Sequence, residues 1–304
     1  MVLLSYTKDI CSLSEHIVVR AIELYCGIGG FAKACEDLQI EIINSYDQND
    51  AAILTYNTNF LHKATKFNLE KFNETHINDI DFLWMSPPCQ PYTKKGKQKE
   101  LEDNRSDSFK TVLKAIYNNP PLHIGVENVE GFQNSRGRDL LIQTLKKCGY
   151  NISETLLCPS SLGIPNRRMR YYLCASLNPL KPIKKSSTCK ELKEFIKEPN
   201  TPFLIPPKIL EKYSDGFRII NKNDKNAYST CFTSSYSKSW MHSGAYLSSE
   251  DGVRLFEPNE IASLMGFGDD FVFPDELTKR QSYKLIGNSL SVYALKSILT
   301  QFTF

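Results

Sequence analysis

Val18-Val-Arg-Ala-Ile-Glu-Leu-Tyr25 runs straight into Cys26-Gly-Ile-Gly-Gly30 and then Phe31. The first stretch is a β-rich apolar run, the second a glycine turn, and Phe31 to Leu38 reads as a helix. Glycines in such a turn let the backbone approach a ligand closely, as in dinucleotide sites. Alone the turn is a weak signal, equally a plain glycine bend; the strands and helices downstream of it give it weight. Glu41 to Tyr46 reads as a second strand, with Asp47 at its end, and Ala51 to Asn57 as a helix. Ile80 to Ser86 is a third strand, stopped by Pro87-Pro88, and Ser106 to Tyr117 is helical. Leu122 to Glu127 is a strand, Arg138 to Cys148 a helix closed by Gly149, and Asn151 to Leu157 and Arg170 to Ala175 are further strands. This alternation predicts an α/β fold, a doubly wound, mainly parallel, Rossmann-like sheet with ligands at the carboxyl ends of its strands.

The alternation fails after Ala175. Pro179, Pro182, Pro199, Pro202, Pro206 and Pro207 punctuate the next stretch, and 213–250 is rich in Ser, Tyr and Asn without a helical period. Periodicity returns at Pro258 to Met265 and Ser289 to Leu299. The expected organisation is a first domain over 1–175, a smaller lobe over 176–255 and a return segment over 256–304 that completes the first domain.

A chain of 304 residues with 41% hydrophobic content can bury one large core and a smaller appended lobe. No stretch approaches the ~18 apolar residues of a membrane helix. The opening residues lack the basic start, apolar run and cleavage site of a signal peptide. Nine scattered cysteines without a C-x-x-C pair argue against a zinc cluster or a disulfide framework and for a reducing compartment. The expectation is a monomer of the cytoplasm, the nucleus or both, without membrane or metal. A net charge of +3 does not single out a nucleic-acid binder. Local crowding says more: Lys94, Lys95, Lys97 and Lys99 share one loop, Arg167, Arg168 and Arg170 a second, Lys181, Lys184 and Lys185 a third. These are ordinary solvated clusters or, since they flank candidate catalytic segments, a path for phosphates.

Ser86-Pro-Pro-Cys89-Gln-Pro-Tyr92 is the most specific stretch. It sets a cysteine in a stiff, proline-flanked loop at a strand end, where neighbouring lysines can lower the thiol pKa and favour the reactive thiolate. A Cys–His hydrolase would need a histidine from a distance, since none lies near in sequence. Glu127-Asn-Val-Glu-Gly-Phe132 puts a carboxylate at another strand end; most such Glu residues are merely solvated, but here a nucleophile gives it a partner. In Gly163-Ile-Pro-Asn-Arg-Arg-Met-Arg170, Arg168 and Arg170 alternate with Met169, so both guanidiniums share a face and can hold a phosphate or a carbonyl oxygen. Asp47 can accept the two ribose hydroxyls of an adenosine-type cofactor, or be a surface Asp. Leu285-Ile-Gly-Asn-Ser289 is expected to open the last helix and aim its N-terminal amides at a cofactor carboxylate or amide.

Taken in order, Glu-Leu-Tyr-Cys-Gly-Ile-Gly-Gly-Phe, Pro-Pro-Cys-Gln-Pro, Glu-Asn-Val, Asn-Arg-Arg-Met-Arg and Gly-Asn-Ser resemble the cytosine-5 methyltransferases, from Val18 to the end of the chain and most weakly over 176–225. Within that family the chain looks like the tRNA-aspartate (cytosine-5) methyltransferases that resemble DNA methyltransferases. Cys231-Phe-Thr233, Ser86-Pro-Pro-Cys-Gln-Pro-Tyr-Thr93 and Ser161-Leu-Gly-Ile-Pro-Asn166 carry that likeness. It departs at Lys63 to Phe67, which lacks an acidic residue for the adenine amino group, and at Tyr92 and Arg167, which stand where Phe and Ser are expected.

The resemblance implies S-adenosyl-L-methionine as methyl donor, S-adenosyl-L-homocysteine as product, and a tRNA as substrate, tRNA-Asp first, with DNA as the alternative. It implies cofactor contacts at Tyr25, Cys26, Gly27, Ile28, Gly29, Gly30, Asp47, Gln48, Ser86, Pro87, Asn288 and Ser289. Cys89 would add to carbon 6 of the cytosine, and Glu127, with a raised pKa, would hold the ring nitrogen and exocyclic amine. Arg170 would hold the carbonyl oxygen, with Arg168 supporting the site by pairing with nearby carboxylates. Lys94, Lys95, Lys97, Asn128, Cys231, Phe232 and Thr233 would meet the substrate, or, for the Cys231–Thr233 tripeptide, pack the cleft. Three rivals stand beside this reading: a DNA cytosine-5 methyltransferase with the same chemistry, a non-catalytic nucleic-acid-binding module on the same fold, and a nicotinamide-dependent oxidoreductase resting on the glycine turn alone.

Overall fold

Val19, Ala21, Ile22, Glu23 and Leu24 are all buried, so the strand Val19–Leu24 (β1) is covered on both faces, as the interior strand of a parallel sheet must be. The computed structural model describes residues 18–88, 107–184, 189–197 and 203–304. After β1 come α1 (Gly30–Cys35), β2 (Ile40–Asp47), α2 (Asp50–Asn59), β3 (Ala64–Lys66), β4 (Phe82–Met85), α3 (Asp107–Asn118), β5 (His123–Val129), α4 (Arg136–Lys147), β6 (Asn151–Leu157) and β7 (Arg170–Ser176). These strands make one seven-stranded sheet in the order β3-β2-β1-β4-β5-β7-β6. Strand β7 runs antiparallel to both neighbours, and every other pairing involving β1 to β5 is parallel. The mainly parallel, doubly wound sheet expected from the alternation is therefore what forms. Strand β3 was not legible: three residues with one buried side chain carry no periodic pattern.

The strand order turns back between β1 and β4, and such a switch point opens a crevice at the carboxyl edge. On one face α3 and α4 lay Phe109, Val112, Ile116, Leu141 and Leu145 over Leu24, Leu83, Met85 and Val126. On the other, Phe31 of α1 stacks on Trp84 with ring centroids 5.2 Å apart and meets Phe82 edge-on at 5.3 Å.

The chain continues through α5 (Pro207–Lys212), β8 (Ile219–Ile220), β9 (Tyr246–Ser249), β10 (Gly252–Arg254), α6 (Pro258–Met265), α7 (Lys279–Asn288) and α8 (Val292–Leu299). Strands β8 to β10 form a small second sheet in the order β10-β9-β8. Phe232, Tyr236, Tyr246, Phe256 and Tyr283 pack as one aromatic cluster that joins this sheet to α7. Beneath it Arg254 and Glu260, each with a side chain 2% exposed, form a two-pronged ion pair at 2.9 Å. The expected helix from Ser289 to Leu299, opened by Leu285–Ser289, needs correction. Leu285 to Asn288 close α7, Ser289 is its C-cap, and α8 starts at Val292 behind the Ser291 cap, whose hydroxyl accepts from Ala294 N. The site therefore meets the carbonyl end of one helix, not the amide end of the next.

Candidate active site

At the end of β1 the backbone turns through positive φ at Tyr25 (55°), Gly27 (54°) and Gly29 (87°). For Tyr25 that conformation is strained, and such strain gathers at ligand sites. At Gly29 a Cβ would stand 2.3 Å from a Phe60 ring carbon, so the turn also needs glycine for space. Asp47, at the end of β2, ties the turn down: one carboxylate oxygen accepts from Gly27 N at 2.8 Å, the other from Gln48 N at 2.7 Å and Asn49 N at 2.9 Å.

A cleft of 540 Å³ starts at this turn. One end is lined by Asp47, Gln48, Leu69 and Glu70, the middle by Tyr25 to Ile28, Gly30 and Ser86 to Pro88, and the other end by Glu127, Asn128, Arg168, Arg170 and Gly287 to Leu290. Of the expected cofactor residues only Gly29 stands behind the lining, where it shapes the turn. Glu23, Leu69 and Glu70 line the cleft and were missed. Glu23 had a signal, an acidic residue inside an otherwise apolar strand. It is 2% exposed and accepts from Phe31 N at 3.2 Å and Tyr56 Oη at 3.4 Å. Burial pushes its carboxyl up to about 8, against the pull of the Phe31 and Ala32 amides and the Tyr56 hydroxyl, while Asp47 adds a smaller push upward.

The opposite end is built by the antiparallel strand. Because β7 runs against β5, it begins where β5 ends: Val129 pairs with Arg170, and Glu127 with Tyr172. Arg170 Nε lies 3.3 Å from Glu127 Oε1. Burial pushes the Glu127 carboxyl upward, Arg170 and then Arg168 pull it back, and the net result stays above the ordinary value. Cys231 Sγ accepts from Arg168 Nη1 at 3.2 Å and Arg170 Nη2 at 3.7 Å. Burial raises this thiol's pKa, but the two guanidiniums outweigh it and leave the thiol below its usual range.

Three expectations change here. Among the described residues Arg168 pairs with no carboxylate. Its guanidinium donates to the carbonyls of Phe232 at 2.9 Å, Gly287 at 3.1 Å and Ser289. The end of α7 leaves carbonyls without helical partners, and a buried guanidinium satisfies them. Gly287 permits the approach, since a Cβ there would sit 2.4 Å from the Thr233 carbonyl. Phe232 is fully buried with its carbonyl held by Arg168, so it packs the cleft wall, and Thr233 donates its N–H to Ser243 O at 2.8 Å. Asn128 is buried and engaged with backbone, donating to Pro87 O at 3.1 Å and accepting from Val129 N at 2.8 Å. It thus braces the residues that lead to Cys89. Cys89, Lys94, Lys95, Lys97, Lys99 and Lys185 lie outside the described residues. Lys181 and Lys184 of the third basic cluster do not flank the site. Antiparallel β7 carries the chain to the far edge of the sheet, where Lys181 N donates to Gln301 O at 2.8 Å and Lys184 N to Thr300 Oγ1 at 3.0 Å.

A doubly wound sheet with a glycine turn after β1, a carboxylate after β2 and a partly buried Glu–Arg pair after β5, all on one cleft, has the layout of an enzyme that brings two reactants together. Residues 19–250 and 242–303 match the family model described as C-5 cytosine-specific DNA methylase, and the chain belongs to that family of cytosine-5 methyltransferases. It is 32% identical to the tRNA (cytosine(38)-C(5))-methyltransferase of Spodoptera frugiperda over 92% of this chain and 98% of that one. It is 29% identical to the Homo sapiens protein of the same name, again over 92% and 98%. Its fold matches the crystal structure of the Schizosaccharomyces pombe Dnmt2 methyltransferase with a TM-score of 0.83 at 27% identity, covering 93% of this chain and 97% of that one.

Proposed function

We propose that this enzyme methylates carbon 5 of a cytosine in tRNA, in the anticodon loop of tRNA-Asp, from S-adenosyl-L-methionine and with Cys89 as nucleophile. The observation that carries the reading is the partly buried Glu127–Arg170 pair at one end of a cleft whose other end is the Asp47-braced glycine turn. The lining suits the donor. Asp47 supplies a carboxylate beside a turn that admits close backbone approach, and Ile28, Ala52 and Leu69 supply apolar surface for an adenine. Bound there, S-adenosyl-L-methionine supplies an electrophilic methyl group.

The chain's own residues solve the remaining problem, that carbon 5 of cytosine is a poor nucleophile. The Cys89 thiolate adds to carbon 6 and turns the ring into an enamine-like species whose carbon 5 is nucleophilic. Glu127, its carboxyl raised by burial, holds the ring nitrogen and exocyclic amine and supplies a proton as charge develops. Arg170 holds the carbonyl oxygen, and Arg168, locked to three backbone carbonyls, keeps the cleft wall in place. Once carbon 5 carries the methyl group, a base such as a water takes its proton, the electrons of that bond expel the Cys89 thiolate, and the ring nitrogen returns its proton to Glu127. The target base must leave its stack to reach this site, which costs less from a loop than from a duplex.

Two observations favour RNA over DNA: the names of the relatives, and the short strands of the small sheet, which give little apparatus for reading a major groove. Transfer of labelled methyl groups to tRNA and, separately, to duplex DNA tests the reading with wild type and Cys89→Ala. Label on tRNA alone, lost in the variant, is the expected result. Label on DNA alone would move the substrate to DNA and leave the chemistry standing.

A further inference from the structure

Outside the cleft, one side-chain arrangement is left unexplained by the chemistry. The Arg167 guanidinium carbon lies 3.7 Å from the centroid of the Tyr228 ring, and that of Arg218 lies 3.9 Å from the same centroid. One ring face holds one guanidinium at such distances, because two side by side would overlap, so the cations take opposite faces. Among the described residues neither guanidinium lies within ion-pair distance of a carboxylate, and the side-chain hydrogen bonds of the pair come down to one long contact, Arg218 Nε to Tyr228 O at 3.5 Å. Two like charges are thus held close together with no anion between them. Stacking uses the flat face of a guanidinium and leaves its N–H edge free, and that edge is the part that matches phosphate oxygens two at a time.

The stack is also fixed in register with the active site. Arg167 N donates to Ser229 O at 2.9 Å, and Asn166 Nδ2 to Ser229 Oγ at 2.8 Å. The same two segments bring Cys231 to Arg168 and Arg170 a few residues further on. Along this extended run Arg168 turns into the cleft wall while Arg167 is exposed on the other side. Arg167 is thus exposed one residue along the chain from a residue that lines the cleft, which puts its charge in reach of phosphates flanking a base held there.

We propose that Arg167, Tyr228 and Arg218 form a preorganised clamp for the phosphodiester backbone of the nucleic-acid substrate next to the extruded base. The inference rests on the proposed tRNA reading and deepens it. The ring fixes both guanidiniums before binding, so less side-chain freedom is lost when phosphates arrive.

The test measures binding of a tRNA transcript by fluorescence anisotropy across ~50–200 mM salt, for the wild type, Arg167→Gln, Arg218→Gln and the double variant. Each phosphate contact contributes roughly 0.7–0.9 to the slope of log affinity against log salt. Each single variant is expected to flatten the slope by about that amount, and the double variant by about twice as much. At ~100 mM salt the double variant should bind at least ~10-fold more weakly, while kcat at saturating tRNA stays within about two-fold of wild type. Tyr228→Leu keeps both charges and loses the ring, so it should weaken binding with the slope retained. Variants that melt at lower temperature yet keep wild-type affinity and slope would make the stack a strut between lobes and overturn the clamp. Wild-type methyl transfer to tRNA is read in the same preparation. Its absence would overturn the substrate reading, whereas its presence with unchanged slopes would overturn the clamp alone.

Discussion

Two glutamates line the same cleft, one buried and one partly buried, and their surroundings could hardly differ more. Glu23 sits under the glycine turn among backbone amides, the Tyr56 hydroxyl and the Asp47 carboxylate, with no cation against it among the described residues. Glu127 sits at the other end against Arg170, with Arg168 close behind. Burial pushes both carboxyls upward. At Glu23 only dipoles pull back, and its neighbour Asp47 pushes further in the same direction. At Glu127 two full charges pull back. Desolvation sets the direction of a buried acid, and the partner decides whether its proton can be exchanged in use. The Glu23 proton belongs to the architecture; the Glu127 proton can serve chemistry.

The sharpest way to separate the two ends is to remove the nucleophile. Cys89→Ala should abolish turnover while leaving the rise in melting temperature on adding S-adenosyl-L-homocysteine unchanged. Residual turnover within ~100-fold of wild type would sink the nucleophile assignment. Next in size, Glu127→Gln keeps shape and polarity but cannot supply a proton, and should slow methyl transfer by at least ~100-fold with cofactor affinity intact. A loss of only a few-fold would remove Glu127 from the proton's path.

At the cofactor end the effects should appear in binding. Asp47→Ala removes the acceptor shared by three backbone amides, and should weaken S-adenosyl-L-homocysteine roughly 10- to 100-fold in a calorimetric titration, with kcat at saturating donor nearly preserved. Equal losses in kcat and affinity would mean the two ends are not separable. The smallest effect is the most diagnostic of Glu23. Its folded carboxyl, raised to about 8 from an ordinary 4.5, holds a proton that the unfolded chain releases earlier. Stability contributed by that proton is therefore fully present below pH ~4.5 and is lost as pH rises through ~8, at about 1.4 kcal/mol per unit at most. Glu23→Gln should match the wild-type melting temperature near pH 5 and exceed it increasingly toward pH 8.5. A pH-independent difference would show that this carboxyl titrates in the folded protein as it does in the unfolded chain.

The same contrast marks where reading the residues succeeded. The glycine turn and Asp47 belong to a β–turn–α–β unit whose parts are local, so position along the chain predicts position in space. The last helix was misjudged because Leu285–Ser289 carries an apolar pattern that suits a helix start as well as a helix end. Only the Ser291 cap and the carbonyls bound by Arg168 decide between them. The partnership of Arg168 with those carbonyls was hidden for a related reason. It joins segments 119 to 121 residues apart, and no local pattern marks a backbone carbonyl as unpaired.

By itself the sequence determined the alternating α/β architecture, the strand ends that bear Asp47 and Glu127, and the resemblance that named the chemistry. Hydrophobic period and turn residues are local, and motif order survives without coordinates. The tertiary structure alone decided that β7 runs backwards. That reversal delivers Arg170 to Glu127, sends Lys181 to the opposite edge, and leaves Arg167 and Arg218 sharing one tyrosine ring. Strand direction is set by which pairing buries the most apolar surface and satisfies the most backbone groups at once, a property of the whole sheet and of no single stretch within it.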